Sequence, residues 1–513
     1  MIAALAIACV VEEAMDCGEG THAEGTTCVA DADTATGASG DSDTESDSDS
    51  DADADAGTPA ARWTGDTRLP EGLALTGEGA GDCAGSAVLL GADLNGDGTS
   101  DVLAGANYAP TGGYRAGAAY VLHGPLTADR RLADADAVLL GDTDYQQSAS
   151  RFANRGDADG DGDDEFAVAM PGNDTLPGGV CLMAGGAGSS GALADLGRCW
   201  TGEGASDSAG ADISAGDLDG DGLRELVVGA PYNSDYADSA GAAYVIEGSS
   251  AGSGDLGGAD VRLYGAEYVL QAGSAVNADG DLDGDGLADL AIGAPRLSSG
   301  GSSAGGVYVF LGMPAHGMLD SADALVQGHV TGGYVGGFPG NIAMGSDVDG
   351  DGRADLLVGA TGYGDGTSSD TNRGAAYLVT GTDVAGTFDL NFAGATLEGE
   401  DPGDAAGQRV EAVGDIDGDG HGDFMVAAPS DGDVGTYAGL VYLVYGPVSG
   451  TAGLADVAEA SFQGNAASWL AGFAIAGGHD ATGDGVVDLA IGALGGTGDA
   501  AGAGAIYVLP GVP

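Results

Sequence analysis

The sequence predicts an all-β fold, a seven-bladed β-propeller, and three observations carry that prediction. An acidic loop of nearly constant form recurs seven times, with start-to-start spacings of 64, 60, 64, 66, 68 and 65 residues. Each copy is flanked by short runs of Val, Leu, Ile and Tyr bounded by Gly, the mark of strands rather than helices. Four such runs per repeat fit a propeller blade better than a flat sheet or a solenoid.

The loops read DLNGDGTSD at 93–101, DADGDGDDE at 157–165, DLDGDGLRE at 217–225 and DLDGDGLAD at 281–289. The other three are DVDGDGRAD at 347–355, DIDGDGHGD at 415–423 and DATGDGVVD at 480–488. A short apolar strand follows each loop, as in LVVGAP (226–231) and LAIGAP (290–295). After a variable polar stretch comes a second, as in GAAYVLHG (117–124) and GAAYVIEG (241–248), with GGVCLMAGG (178–186) as the degenerate member. A third ends in Gly, as in ATLEGE (395–400), and a fourth precedes the next acidic loop, as in AGSAV (272–276). No stretch carries a sustained helical period with caps. The last unit stops at its third strand, Ala505 to Leu509, while GLALTGEG (72–79) stands alone ahead of the first. That orphan is expected to supply the outer strand of the last blade, joining the ends and removing an open edge.

Composition sets the rest of the chain apart from this body. Of 513 residues, 80 are acidic and 14 basic, all Arg, for a formal charge of −66. Such a surface repels phosphate, which excludes nucleic-acid binding and polybasic docking to anionic lipid. No apolar run reaches the 18 residues of a membrane helix, so no transmembrane helix is expected. Residues 1–16 resemble a secretory signal, and Ala6-Ile7-Ala8-Cys9 resembles a lipoprotein cleavage box, making Cys9 a candidate for lipidation. Residues 17–30 form a small Cys-containing segment. Residues 31–61, including DSDTESDSDSDADADAG, have no large apolar side chain before Trp63 and read as a disordered, self-repelling linker. The propeller is assigned to 62–513. Cys17 with Cys28 and Cys181 with Cys199 are spaced for loop-closing disulfides, which suits an exported chain. Cys83 is then left without a partner.

Five of the seven loops place acids at positions 1, 3, 5 and 9 with Gly at 6, while loop one has Asn95 and loop seven Thr482 at position 3. Alternate residues of a tight loop aim their oxygens inward while Gly lets the backbone turn. Hard oxygen donors in a flexible loop select Ca²⁺ over softer-site metals and over Mg²⁺, which wants a smaller octahedral cage. An EF-hand would need Glu at position 12, where Ala104, Val228 and Ile292 stand. The candidate ligands of a β-hairpin calcium loop are Asp93, Asn95, Asp97 and Asp101, then Asp157, Asp159, Asp161 and Glu165, then Asp217, Asp219, Asp221 and Glu225. Asp281, Asp283, Asp285 and Asp289 follow, with Asp347, Asp349, Asp351 and Asp355 in the fifth loop. Asp415, Asp417, Asp419 and Asp423 make the sixth, and Asp480, Thr482, Asp484 and Asp488 the seventh. Two carboxylates about 4 Å apart repel by roughly 4 kcal/mol at an effective dielectric near 20, so up to seven Ca²⁺ ions are expected as structural cofactors. No catalytic metal, Ser-centred or phosphate-cradling motif is present, and the six His residues share no motif spacing, so no enzyme is predicted.

The loops, the Gly-Ala-Pro triplets at 229–231 and 293–295 and the sevenfold count together resemble the FG-GAP repeats of integrin alpha-subunit propellers, over about residues 69–511. The resemblance implies adhesion or extracellular recognition, with a protein or glycan ligand bound on the face opposite the calcium loops. It places the chain outside the cell or at its surface, as a bacterial outer-envelope lipoprotein if Cys9 is acylated. Aromatics in the variable loops of that face, Tyr108, Tyr232, Tyr363, Tyr437 and Trp469, are the candidate ligand anchors. A carbohydrate-binding or hydrolytic propeller is the alternative reading.

Overall fold

Gly-bounded apolar runs become strands in which every residue is buried, such as Glu225–Ala230 and Ala242–Ile246. Burial on both faces is why those runs are continuous rather than alternating. The computed structural model describes residues 62–512 apart from 70, 71, 174, 187, 251, 365–371 and 497–501, together with a hairpin of Thr21–Glu24 and Thr27–Ala30. Cys9, Cys17 and the side chain of Cys28 lie outside the described residues, as do residues 1–16 and 31–61.

The strands form seven five-stranded sheets, the blades of a propeller. In blade one, Ala84–Ala92, Asp101–Ala106, Ala118–Leu122 and Ala137–Leu140 pair antiparallel in chain order. The first strand of each blade is innermost and packs on its counterparts in the neighbouring blades, as Ala471–His479 does on Ala84–Ala92. The hydrophobic core is divided into wedges between blades. One wedge joins Val228 and Tyr244 of blade three to Val180 and Trp200 of blade two. Blades approach closely where Gly faces Gly: a Cβ on Gly229 would strike the Gly273 carbonyl of the next blade, and Gly273 itself has φ +82°. The small residues of the repeat are thus the price of close blade packing.

Leu73–Thr76 pairs antiparallel with Ala505–Leu509, so the orphan strand completes blade seven as the sequence predicts. The expectation of four strands per blade is one short. A parallel fifth strand of two to four residues lines each outer edge, donated by the following unit, as Gly254–Asp255 on Arg198–Thr201. A short turn with one buried Leu follows it: Leu132, Leu193, Leu256, Leu319, Leu390 and Leu454. Residues 65–76 supply the seventh instance. Gly65–Arg68 pairs with Ala460–Gln463 of blade six, Leu69 is fully buried, and Leu73–Thr76 enters blade seven. The N-terminal segment is the displaced second half of the last unit, and it staples two blades.

Arg151 crosses the axis at the start of the innermost strand of blade two. It donates to the Pro339 carbonyl at 3.1 Å and to the Ser150 carbonyl at 2.6 Å, and faces Asp212 of blade three at 3.4 Å. Asp212 in turn accepts from the N–H groups of Val276 and Gly340, tying blades four and five to the same point.

Cys181 and Cys199 are joined across the paired strands Gly179–Met183 and Arg198–Thr201. Cys83 is also disulfide-bonded, which corrects its reading as a leftover thiol. The Cys181–Cys199 bridge spans a sequence separation of 18. Closing a loop of this size removes about 3 kcal/mol of unfolded-state freedom. The Cys181→Ala/Cys199→Ala variant should therefore lose about that much stability in a urea titration, and an unchanged midpoint would refute the estimate.

Candidate metal centres

The acidic loops join the first and second strands of each blade, so all seven lie on one rim of the ring. In loop four, Asp281 accepts from the N–H groups of Gly284, Asp285 and Gly286 at 2.7, 3.1 and 2.8 Å. Asp283 Oδ1 accepts from Asp285 N–H, and Asp285 Oδ1 from Leu287 N–H. Gly284 and Gly286 hold φ of +77° and +93°, which lets the chain coil around its own carboxylates. The Oδ2 atoms at positions 3 and 5 are thereby left for an incoming ion. The same hydrogen bonds recur in loops five and six.

The acid at position 9 has a different task from its neighbours. Asp289 is 1 % exposed and accepts from Leu282 N–H at 2.7 Å and Gly312 N–H at 2.8 Å, pinning the loop to the third strand. Asp101, Asp355, Asp423 and Asp488 make the equivalent pair of bonds. Burial pushes Asp289 and Asp355 up to about 6 and Asp423 up to about 7, against the pull of those donors. Asp101, Glu165, Glu225 and Asp488 are raised for the same reason.

Ligand oxygens converge to within 4.8 Å in several loops. The groups are Asp157, Asp159 and Glu165; Asp217, Asp219 and Glu225; Asp281, Asp283 and Asp285; Asp347, Asp349 and Asp351; and Asp415, Asp417 and Asp423. An all-oxygen set of like charges suits a hard divalent cation. In loop seven, Thr482 turns its hydroxyl to Asp488 at 3.3 Å, so this loop offers one acid fewer. Neighbouring loops are also bonded to each other. The Asp217 carbonyl accepts from Ala288 N–H, Asp281 from Ala354 N–H and Asp347 from Gly422 N–H. The rim is a hydrogen-bonded chain of loops.

The repeat family described as FG-GAP repeat matches residues 84–122, 209–246, 272–310, 338–379 and 409–444, which are blades one, three, four, five and six. The chain is an integrin alpha-like FG-GAP repeat propeller. It is 34% identical to integrin alpha-PS2 of Drosophila melanogaster over 227 residues, 42% of this chain and 14% of that protein. To integrin alpha pat-2 of Caenorhabditis elegans it is 30% identical over 241 residues, 45% of this chain and 18% of the other. Human integrin alpha-IIb is 35% identical over 158 residues, 30% of this chain and 15% of its own length. The matched stretches thus cover under a fifth of the length of each of these integrins.

On the opposite rim, loops between second and third strands and between blades carry the candidate aromatics. Tyr232 is 43 % exposed, but the others are not free anchors. Trp469 is 4 % exposed and stacks on Tyr507 with ring centres 5.9 Å apart, which corrects its reading as an exposed residue. The wedge between blades six and seven has room for an indole, and burying it there gains more than display would. Tyr108 and Tyr437 pack against Cys83, Leu470 and Leu494. Tyr363 is half-buried and donates its hydroxyl to Glu398 at 2.8 Å. The exposed tyrosines of these loops are Tyr114, Tyr145, Tyr236 and Tyr268, with Tyr232, along blades one to four. Two of them, Tyr114 and Tyr145, meet edge to face at 5.1 Å. Among the described residues no helix is long and apolar enough to cross a membrane.

Proposed function

We propose that this propeller is an exported recognition module whose acidic loops hold structural Ca²⁺ and whose opposite rim binds a protein or glycan. One observation carries the reading: the acidic loops share one rim and leave unbonded carboxylate oxygens there, while the exposed tyrosines occupy the other. A rigid, metal-braced scaffold presenting variable loops is built for recognition. Exposed tyrosines offer large, amphipathic contact area of the kind that anchors partners. The ions are read as structural: the one histidine among the seven loops, His421, has its ring nitrogen 3.2 Å from the Val348 carbonyl. The Cys181–Cys199 disulfide supports an oxidising, extracellular setting. In this reading residues 31–61 are a stalk, and acylation of Cys9 would hold the propeller at a cell surface.

A glycan array and an array of extracellular-matrix proteins, probed with calcium-loaded protein, test the proposal. Binding should fall at least tenfold in a Tyr232→Ala/Tyr236→Ala/Tyr268→Ala variant. Failure to bind anything on either array, or a binder indifferent to all three changes, would remove this face as the ligand site.

A further inference from the structure

The sixth loop meets a cation supplied by the chain itself. Arg62, three residues ahead of the strand that staples blade six, lays its guanidinium across the loop. Its Nε meets Asp417 Oδ2, Nη2 lies 2.9 Å from Asp419 Oδ2, and Nη1 is 3.2 Å from Glu459 Oε1. The guanidinium carbon also sits 4.8 Å from the centre of the Tyr445 ring, whose hydroxyl accepts from Trp63 N–H at 3.0 Å.

The oxygen inventory distinguishes this contact from an ordinary surface ion pair. Asp417 Oδ1 accepts from Asp419 N–H, and Asp419 Oδ1 accepts from His421 N–H, as in the other loops. The two Oδ2 atoms are what the loop leaves for a metal, and Arg62 takes both. With Arg62 across it the Asp417 side chain is 1 % exposed, so water does not reach its Oδ2 while the guanidinium is in place. The ion pairs of Arg130, Arg151, Arg224 and Arg373 go instead to Asp136, Asp212, Asp279 and Glu398, none of them at position 3 or 5 of a loop.

We propose that Arg62 and a divalent cation compete for Asp417 and Asp419, so that loop six fills only as Arg62 leaves. This rests on the calcium reading of the loops. A guanidinium tethered by a strand paired to the same blade has an effective concentration in the millimolar range, and a planar fork across two carboxylates is a strong charge-assisted contact. The sixth site should therefore need about tenfold more calcium than it would without Arg62. Its filling would loosen the chain just ahead of Gly65.

The experiment uses the full chain and Ca²⁺ alone. Bound ions are counted by equilibrium dialysis with metal analysis, for the wild type and Arg62→Ala, across a calcium titration. At a calcium level where Arg62→Ala has reached its plateau, the wild type should hold one ion fewer, and it should reach the same plateau at about tenfold higher calcium. A second readout is tryptic cleavage of the Arg62–Trp63 bond. In EDTA the wild type should resist, while Asp417→Asn/Asp419→Asn, or saturating calcium on the wild type, should speed cleavage at least tenfold. Superimposable binding curves with ions bound would overturn the competition and leave the calcium reading standing. Absence of bound ions in both forms would overturn the two together.

Discussion

Millimolar Ca²⁺ should raise the thermal midpoint of the EDTA-treated protein by on the order of 10 °C at pH 7.5. Each site held at a hundredfold its dissociation constant adds about 2.7 kcal/mol by mass action, provided the unfolded chain does not bind. Seven divalent ions would also cancel 14 charges of the formal −66. The pH dependence gives a second, opposite-signed signal. Asp289, Asp355 and Asp423 are raised in the fold to about 6, 6 and 7 from an ordinary value near 3.8. A folded state that binds protons more tightly than the unfolded one is fully favoured below the unfolded value and loses that advantage as pH rises through the folded one. Metal-free protein should therefore melt higher at pH 5 than at pH 7.5. Calcium needs ionised carboxylates, so its stabilisation should grow over the same interval and offset the loss. Scanning calorimetry at both pH values, with EDTA and with calcium, checks both signs. Identical midpoints with and without calcium at pH 7.5 would end the structural-metal reading.

Removing residues 1–79 should cost more than any single core substitution, because it opens two blades at once. Leu69 and Leu75 are both fully buried, and truncating either to Ala should cost about 2–5 kcal/mol. The deletion also strips the four-residue pairings on Ala460–Gln463 and Ala505–Leu509, exposing an edge on each blade. The chain 80–513 is expected to be unfolded or aggregated under conditions where the full chain is native. A permutant that carries residues 62–79 after Pro513 separates this cause from mere loss of residues. Seven residues would then link Leu509 to Gly65, as seven link Ile246 to Gly254 in blade three. It should match the full chain in a urea titration. A deletion variant as stable as the permutant would show that the ring does not depend on this closure.

The sevenfold count, the blade strands and the acidic loops were legible because each depends on local chemistry repeated at one period. Apolar runs bounded by Gly report strands, and alternating Asp with Gly at position 6 reports a coiled loop, wherever the chain goes afterwards. The fifth strands were not legible, because two residues such as Gly254–Asp255 carry no periodicity and are ordered only by the neighbouring blade's edge. Nor was the division of labour inside a loop, where Asp289 is buried as an anchor while Asp283 and Asp285 keep oxygens free.

By itself the sequence determined the all-β repeat fold, the rim on which the acids gather and the strand that closes blade seven. These follow from hydrophobic period, turn chemistry and strand parity, which act between residues near in sequence. Only the tertiary structure decided which aromatics are displayed and which are core, because Trp469 and Tyr232 sit in similar polar loops and differ in the space the neighbouring blade leaves them. It also decided that Leu69 and Gly65–Arg68 belong to blade six and that Arg62 reaches loop six, 355 residues from Asp417. Ring closure brings the two ends of the chain together, and contacts made by closure have no signature in local sequence.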